Sequence, residues 1–125
     1  MKHSIETPDA PKAIGPYSHA IIAGNMIFTS GQIHLTPEGK LVDGTIEEIT
    51  HQVMKNLKAV LEKSGASFKD VVKTTIYLTD MAVYPKVNEV YSGYVNEPYP
   101  ARETVCVKEL PLGARIEISM IAAKQ

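Results

Sequence analysis

The sequence has little of what extracellular and membrane proteins depend on. Cys106 is the single cysteine among 125 residues, so no disulfide can form within the chain. No apolar run approaches the roughly 20 residues that a membrane-spanning helix requires. Residues 1–11 are polar and mixed in charge, and they lack the apolar core of a signal peptide. These absences lead us to expect a cytoplasmic protein.

Excess charge and metal-ligand motifs are also missing. The formal net charge is −1, which argues against a nucleic-acid-binding surface that depends on counterion release. The four histidines have no spacing suited to zinc, and neither His-Glu-x-x-His nor Cys-x-x-Cys occurs. No Gly-rich phosphate loop and no Gly-x-Ser-x-Gly elbow are present. The sequence therefore predicts no metal site and does not favour nucleic acid as a partner.

What remains is the composition of an ordinary globular domain. Hydrophobic residues make up 44% of the chain and charged residues 22%. The sequence contains no internal repeat, low-complexity tract or linker, and its length suits one domain with its own core. We therefore expect a single domain over residues 1–125.

Hydrophobic periodicity predicts the elements of this domain. Residues 17–23 and 26–30 are candidate strands, and residues 1–16 are expected to be irregular because of their prolines. A helix is predicted from Thr45, which has capping-box spacing to Glu48, to a stop at Gly65.

The second half of the chain contains strand and helix signals of the same kinds. Residues 72–78 alternate as a strand, and Asp80 is the predicted cap of a second helix that ends before Pro98. Residues 100–123 then predict two strands joined by a turn at residues 111–113, which would form a hairpin that closes the chain. The order indicates an α+β fold, with two helices on one face of a mostly antiparallel sheet. The other face is either solvated or buried in an oligomer, and its apolar content favours burial.

Several motifs resemble one family over nearly the whole chain. Residues 100–122 resemble the C-terminal signature of the RidA/YjgF family of reactive-intermediate deaminases, written P-A-R-x-x-V-x-V-x-x-L-P-x-x-x-x-I-E-I-E-x-I-A. Residues 13–18 (Ala-Ile-Gly-Pro-Tyr-Ser), 30–32 (Ser-Gly-Gln) and 87–91 (Val-Asn-Glu-Val-Tyr) are similar to further segments of the same family. Four motifs in the family's order are far more specific than any one of them.

The resemblance implies a fold, an assembly and a reaction. The fold is a chorismate-mutase-like subunit with a mixed sheet and two helices on one face, and the assembly is a homotrimeric barrel with sites at the subunit interfaces. The reaction is hydrolysis of enamines and imines, such as 2-aminoacrylate and 2-iminobutanoate, to 2-keto acids and ammonia. The resemblance implies no cofactor.

The resemblance also implies roles for individual residues. Arg102 would bind the substrate carboxylate, for which a guanidinium is well suited because it offers two parallel hydrogen bonds. Tyr17 would close over the substrate, Ser30 and Gly31 would shape the pocket wall, and Asn88 would line the pocket from the second helix.

The sequence departs from the family pattern at two positions. Thr104 stands where relatives often carry a cysteine, and its backbone would help to hold the attacking water. Cys106 lies two residues further on and is interpreted as a small strand residue. The resemblance assigns the water-positioning glutamate to position 119, which is Ser119 here. Glu117 shares its strand face but lies about 7 Å away at strand rise, too far to replace it without an intervening water.

Three hypotheses follow from the serine. The enzyme uses a water held by Ser119, or a carboxylate such as Glu103 or one from a neighbouring subunit replaces the glutamate. Alternatively, the protein has kept the pocket and lost catalysis, and it is a regulatory module that binds small carboxylates. The ribonuclease activity also associated with this family is poorly supported, because no His pair or basic-aromatic platform is evident.

Overall fold

A computed structural model describes every residue from 1 to 125 and contains one mixed sheet and two α-helices. The strands are β1 (Lys2–Ile5), β2 (Ala20–Ala23), β3 (Met26–Thr29), β4 (Gln32–Ile33), β5 (Val71–Leu78), β6 (Ala101–Cys106) and β7 (Ile116–Ala123). The helices are α1 (Ile46–Lys63) and α2 (Tyr84–Ser92). Neither helix has both the length and the apolar character that crossing a bilayer requires.

The sheet is built around β5 and β7. Its order is β1-β2-β3-β7-β5-β6, and the short strand β4 also pairs with β7. Every pairing is antiparallel except that of β5 with β6, which is parallel. The predicted α+β class with a mixed sheet is confirmed.

Both helices cover the same face of this sheet. Burial alternates along β7 and, from Thr74 onwards, along β5, so every second side chain of these segments enters the core. Fully buried examples are Ile76, Leu78 and Ile118, which belong to one cluster with the apolar side of α1. Burying such a side chain contributes roughly 1.5–3 kcal/mol relative to leaving it in water, so this layer is the main source of stability. The opposite face carries Phe28, which is 43% exposed, and is left uncovered.

Helix α1 begins where the sequence predicts. The Thr45 hydroxyl accepts a hydrogen bond from the Glu48 amide at 3.1 Å, and the Glu48 carboxylate accepts one from the Thr45 amide at 2.8 Å. This capping box satisfies two donors that the first helical turn leaves unpaired. At the other end Gly65 has a φ of 85°, a left-handed conformation that favours glycine and turns the chain out of the helix.

The C-terminal strands form, but their predicted pairing is wrong. Instead of forming a hairpin, β6 and β7 lie on opposite sides of β5. The chain between Cys106 and Ile116 therefore crosses from one side of β5 to the other, through a short 3-10 turn at Pro111–Gly113. Alternation identifies a strand and its two faces, but it does not say which strand will be its neighbour.

Smaller differences concern element boundaries. Residues 1–16 are not wholly irregular, because Lys2–Ile5 pairs with β2; this exposed edge strand has too few apolar residues for periodicity to detect. Strand β2 begins at Ala20 rather than Tyr17. Asp80 caps a 3-10 turn (Met81–Val83) instead of α2 itself, and α2 ends at Ser92, well before Pro98.

His34 joins three segments of the chain next to β7. It is 2% exposed, its Nδ1–H donates to the Val42 carbonyl at 2.8 Å, and its Nε2 accepts from the Arg115 amide at 2.9 Å. Only the neutral ring can make both bonds, because protonated Nε2 has no lone pair to accept with. Burial lowers the pKa of His34 below its ordinary value.

This arrangement predicts a pH-dependent stability. A histidine whose pKa is lower in the folded state contributes its full stability above the unfolded pKa of about 6.5. The free energy of unfolding should fall as the pH drops from there towards the folded pKa, by at most about 1.4 kcal/mol per pH unit. Urea unfolding at about pH 7.5 and 5.5 measures this dependence.

Two variants make the measurement specific to this residue. His34→Gln should be less stable at neutral pH and should lose part of the pH dependence. His3→Gln, at an exposed histidine of β1, should keep the full dependence. Equal pH dependence in the wild type and in His34→Gln would show that His34 is not responsible.

Candidate active site

Strand register divides the predicted site residues between the two faces of the sheet. Thr74 of β5 is buried and pairs with Arg102 of β6 and Met120 of β7. Its neighbour Thr75 pairs with Ser119. Successive strand residues point to opposite faces. Arg102 therefore lies on the helix-covered face, and Ser119 lies on the uncovered face.

Arg102 is held by side chains from α2. Its Nη1 donates to the Asn88 Oδ1 at 2.7 Å, and its Nη2 donates to the Tyr84 hydroxyl at 2.7 Å. Its Cζ lies 5.1 Å from the ring centroid of Tyr91, within cation–π range. The structure thus brings the predicted pair Arg102 and Asn88 together. It adds Tyr84 and Tyr91, which sequence reasoning missed although helical spacing from Asn88 points to them.

The guanidinium of Arg102 retains unused binding capacity. Two of the five N–H donors of an arginine are engaged by Asn88 and Tyr84, and the other three remain. Glu6, beside His19, and Glu103, beside Lys73, are the carboxylates that lie within 4 Å of a basic side chain, so Arg102 has no carboxylate partner of its own. Arg102 also lines an open cavity of about 440 Å³. The other residues lining this cavity are Asn88, Tyr91, Ser92, Val95, Tyr99 and Pro100.

Thr104 lies two residues along β6 from Arg102 and on the same side of the strand. Its Oγ1 is buried and has no hydrogen-bond partner. A buried hydroxyl without a partner costs roughly 1–3 kcal/mol. A water or a ligand atom bound beside Arg102 would remove that cost.

Tyr17, Ser30 and Gly31 form a second group away from Arg102. The Ser30 hydroxyl donates to the Ser18 carbonyl at 2.6 Å, and the Ser30 amide donates to the His19 carbonyl at 2.9 Å. Ser30 therefore anchors the segment that carries Tyr17. Tyr17 itself is 53% exposed, and it shares a cavity of about 300 Å³ with Gly31.

The pairing of β7 with its neighbouring strands places Glu117 next to Gly31 of this second group. Glu117 pairs with Ile33 of β4 and Tyr77 of β5, and its side chain covers the Cα of Gly31. A Cβ at position 31 would lie 2.7 Å from the Glu117 Cδ, so this close approach requires glycine. Glu117 has no salt bridge, and burial raises the pKa of its carboxyl above the ordinary value. The sequence contains Glu117 in its I-E-I-S segment, but nothing there indicates that Gly31 lies beneath it.

The other two candidate residues of the uncovered face lie outside both cavities. Ser119 aligns with Thr75 of β5 and is partly buried. Glu103 accepts a hydrogen bond from the Thr75 hydroxyl at 3.3 Å and lies 3.5 Å from the Lys73 Nζ. Its carboxylate is thus already paired, which disfavours it as a replacement for a catalytic glutamate. No group of three or more His, Cys, Asp or Glu side chains is arranged to hold a metal ion.

Curated proteins from several kingdoms are similar to this chain. A RutC family protein of Pyrococcus horikoshii is 51% identical over the full length of both chains. Reactive Intermediate Deaminase A, chloroplastic, of Arabidopsis thaliana is 50% identical over 97% of this chain and 65% of its own length. A 2-iminobutanoate/2-iminopropanoate deaminase of Dermatophagoides farinae is 44% identical over 96% of this chain and 94% of its own.

Solved structures and a family model agree with these relatives. A putative endoribonuclease from Thermotoga maritima superposes with a TM-score of 0.97 at 56% identity, covering 100% and 99% of the two chains. E. coli TdcF with bound serine superposes with a TM-score of 0.92 at 34% identity, covering 98% and 99%. The model of the family described as Endoribonuclease L-PSP matches residues 7–124. The chain therefore belongs to the RidA/YjgF family, to which that description also applies.

Proposed function

We propose that this protein is an enzyme that hydrolyses small enamines and imines bearing a carboxylate, such as 2-aminoacrylate and 2-iminobutanoate, to 2-keto acids and ammonia. The observation that carries the proposal is Arg102, a cation with no carboxylate of its own and three unused donors, held beside an open cavity. The deaminase names of the relatives from Arabidopsis and Dermatophagoides support the same reaction.

We further propose that the site forms between subunits of a homotrimer. Arg102, Asn88 and Thr104 lie on the helix-covered side of the sheet, whereas Glu117 lies on the other face, over Gly31 and beside the cavity that Tyr17 lines. A substrate of a few atoms cannot touch both groups within one chain. Apolar side chains of the uncovered face, including Phe28 at 43% exposure and Val105 at 41%, favour its burial against a second copy.

We assign the proton-transferring carboxylate to Glu117 rather than Ser119. A serine hydroxyl is a poor base near neutral pH, whereas a carboxyl with a raised pKa is better matched to proton transfer there. Glu117 also covers Gly31, next to the cavity that Tyr17 lines. With Glu117 in this role, the protein retains a catalytic glutamate, contrary to the prediction from Ser119. The main argument for a non-catalytic binding module was the loss of that glutamate, and this assignment removes it.

In this mechanism Arg102 binds the substrate carboxylate and orients the C=N bond. The enamine first gains a proton from the solvent at its terminal carbon and becomes an iminium ion. Water attacks the iminium carbon while Glu117 accepts a proton from it, which gives a carbinolamine. Glu117 returns that proton to the nitrogen. The C–N bond then breaks as the hydroxyl group gives its proton to the Glu117 carboxylate and becomes the C=O group, so that ammonia leaves and the keto acid remains. Orientation by Arg102 supplies several kcal/mol, and proton transfer adds about 10²- to 10⁴-fold.

The first prediction from this proposal separates the roles of three side chains. An amino-acid oxidase generates the imine in the assay. Semicarbazide reacts with the imine that the protein has not hydrolysed, and the decrease in semicarbazone formation measures the activity. Arg102→Ala should lower kcat/KM at least about 100-fold because a charged hydrogen-bonded pair is lost. Glu117→Gln should lower kcat about 10²- to 10⁴-fold. Ser119→Ala should stay within about threefold of the wild type, as expected outside the site.

Other results of the same measurements would contradict these roles. Full activity in Arg102→Ala would refute the deaminase. A loss confined to Ser119→Ala would return the catalytic role to the serine, as the family signature predicts. Binding of 2-ketobutanoate without turnover in the wild type would indicate the regulatory module, and cleavage of single-stranded RNA by pure protein would indicate the ribonuclease.

The contact between Gly31 and Glu117 gives a second prediction. Gly31→Ala should displace the flexible carboxylate of Glu117 rather than unfold the strand, because the nearest atoms belong to the end of a side chain. Activity should therefore fall at least about tenfold while the melting temperature changes by only a few degrees. Gly24→Ala is the control. An added Cβ there meets no atom within 4 Å, but the φ of 62° strains any side chain, so this variant should lower the melting temperature without lowering activity. Unchanged activity in Gly31→Ala would mean that the Glu117 position does not matter.

The shared site gives a third prediction. Arg102→Ala and Glu117→Gln subunits should each keep no more than about 1% of the wild-type activity, but a mixed trimer contains some interfaces with both residues intact. Random mixing at equal amounts should restore about one quarter of the wild-type activity, as closed cyclic symmetry requires. The control is a mixture in which one subunit carries both substitutions and the other is Arg102→Ala. Recovery in the control, or none in the test mixture, would argue against a site shared in this way.

A further inference from the structure

We infer that Tyr84 is a positioning residue that holds the guanidinium of Arg102 in the orientation needed to bind a carboxylate. This inference rests on the proposed function, because it assigns Arg102 to carboxylate binding. It adds a residue that neither the sequence motifs nor the predicted site includes.

The local fold directs Tyr84 towards Arg102. Tyr84 is the first residue of α2, and Asn88 follows one turn later on the same side of the helix. The preceding 3-10 turn is fixed by Asp80, whose carboxylate accepts a hydrogen bond from the Ala82 amide at 2.9 Å. The ring of Tyr84 packs against the hydrophobic core, so its hydroxyl is presented by a rigid support.

Tyr84 and Asn88 together restrain the end of the arginine. The Tyr84 hydroxyl accepts from Nη2 and the Asn88 amide oxygen accepts from Nη1, both at 2.7 Å. With one acceptor on each terminal nitrogen, the planar guanidinium cannot rotate without breaking a hydrogen bond. Both acceptors are uncharged, so they orient Arg102 without neutralising the charge that a carboxylate requires.

Tyr91 contacts the same guanidinium in a different way. Its hydroxyl donates to the Thr74 Oγ1 at 3.0 Å and is therefore engaged with β5. The contribution of Tyr91 to Arg102 is its ring, which lies 5.1 Å from the guanidinium carbon. Tyr84 is thus the tyrosine whose hydroxyl acts on Arg102, and removal of one oxygen atom tests that role.

The kinetic test is Tyr84→Phe, which keeps the ring and removes the hydroxyl. We expect KM for 2-iminobutanoate to rise about 3- to 10-fold, the range of one lost hydrogen bond, with kcat changed less than about twofold. Tyr94→Phe is the matched control, because its hydroxyl bonds only to the His51 Nδ1, at 2.7 Å. In the Arg102→Ala background, Tyr84→Phe should cause no further loss, since it acts through Arg102.

A second readout is independent of catalysis. The chain has two arginines, Arg102 and Arg115, so the Nε–H groups give two resolvable NMR signals. In the ligand-free protein, Tyr84→Phe should lower the order parameter of the Arg102 signal and leave that of exposed Arg115 unchanged.

These outcomes separate the two proposals. An inactive wild type in which Tyr84→Phe still loosens Arg102 would refute the deaminase and support the positioning role. An active wild type in which Tyr84→Phe changes neither KM nor the Arg102 signal would refute the positioning role alone. An equal loss on Tyr84→Phe with and without Arg102 would also overturn it, because the tyrosine would then act independently.

Discussion

The register of the central strand β5 against β6 and β7 is the constraint on which the rest of this structure depends. It places Thr74 beside Arg102 and Thr75 beside Ser119, and the two-residue period of a strand then decides which face each side chain occupies. The face that buries Ile76 and Ile118 under the helices also carries Arg102. The same register leaves the opposite face uncovered, and the fold thereby separates the two halves of the proposed site.

Each half contains a charged group that the chain does not neutralise. Arg102 is oriented by Asn88 and Tyr84 but paired with no carboxylate, and Glu117 lies over Gly31 without a cation. Unpaired, partly buried charges cost stability, and such groups cluster at functional sites. A substrate with an anionic end and a basic nitrogen would compensate the cation at one end and use the carboxyl at the other.

Much of the fold was predictable because its signals are local. The capping box of Thr45 and Glu48 and the alternation in β5 and β7 depend on neighbours within a few residues. The hairpin prediction failed because strand partners are chosen by the whole sheet. Strand β1 was missed because an exposed edge strand carries no apolar pattern.

The same distinction applies to the site. The family motifs pointed to Arg102 and Asn88 as candidate site residues, because a motif is a property of the linear sequence. Tertiary structure decided that Tyr84 holds Arg102 and that Gly31, 86 positions before Glu117 in the sequence, lies under its carboxylate. Ser119 was favoured over Glu117 on the basis of a motif. The contact of the Glu117 carboxylate with Gly31, which Ser119 lacks, comes from packing between distant segments and is not visible in a linear pattern.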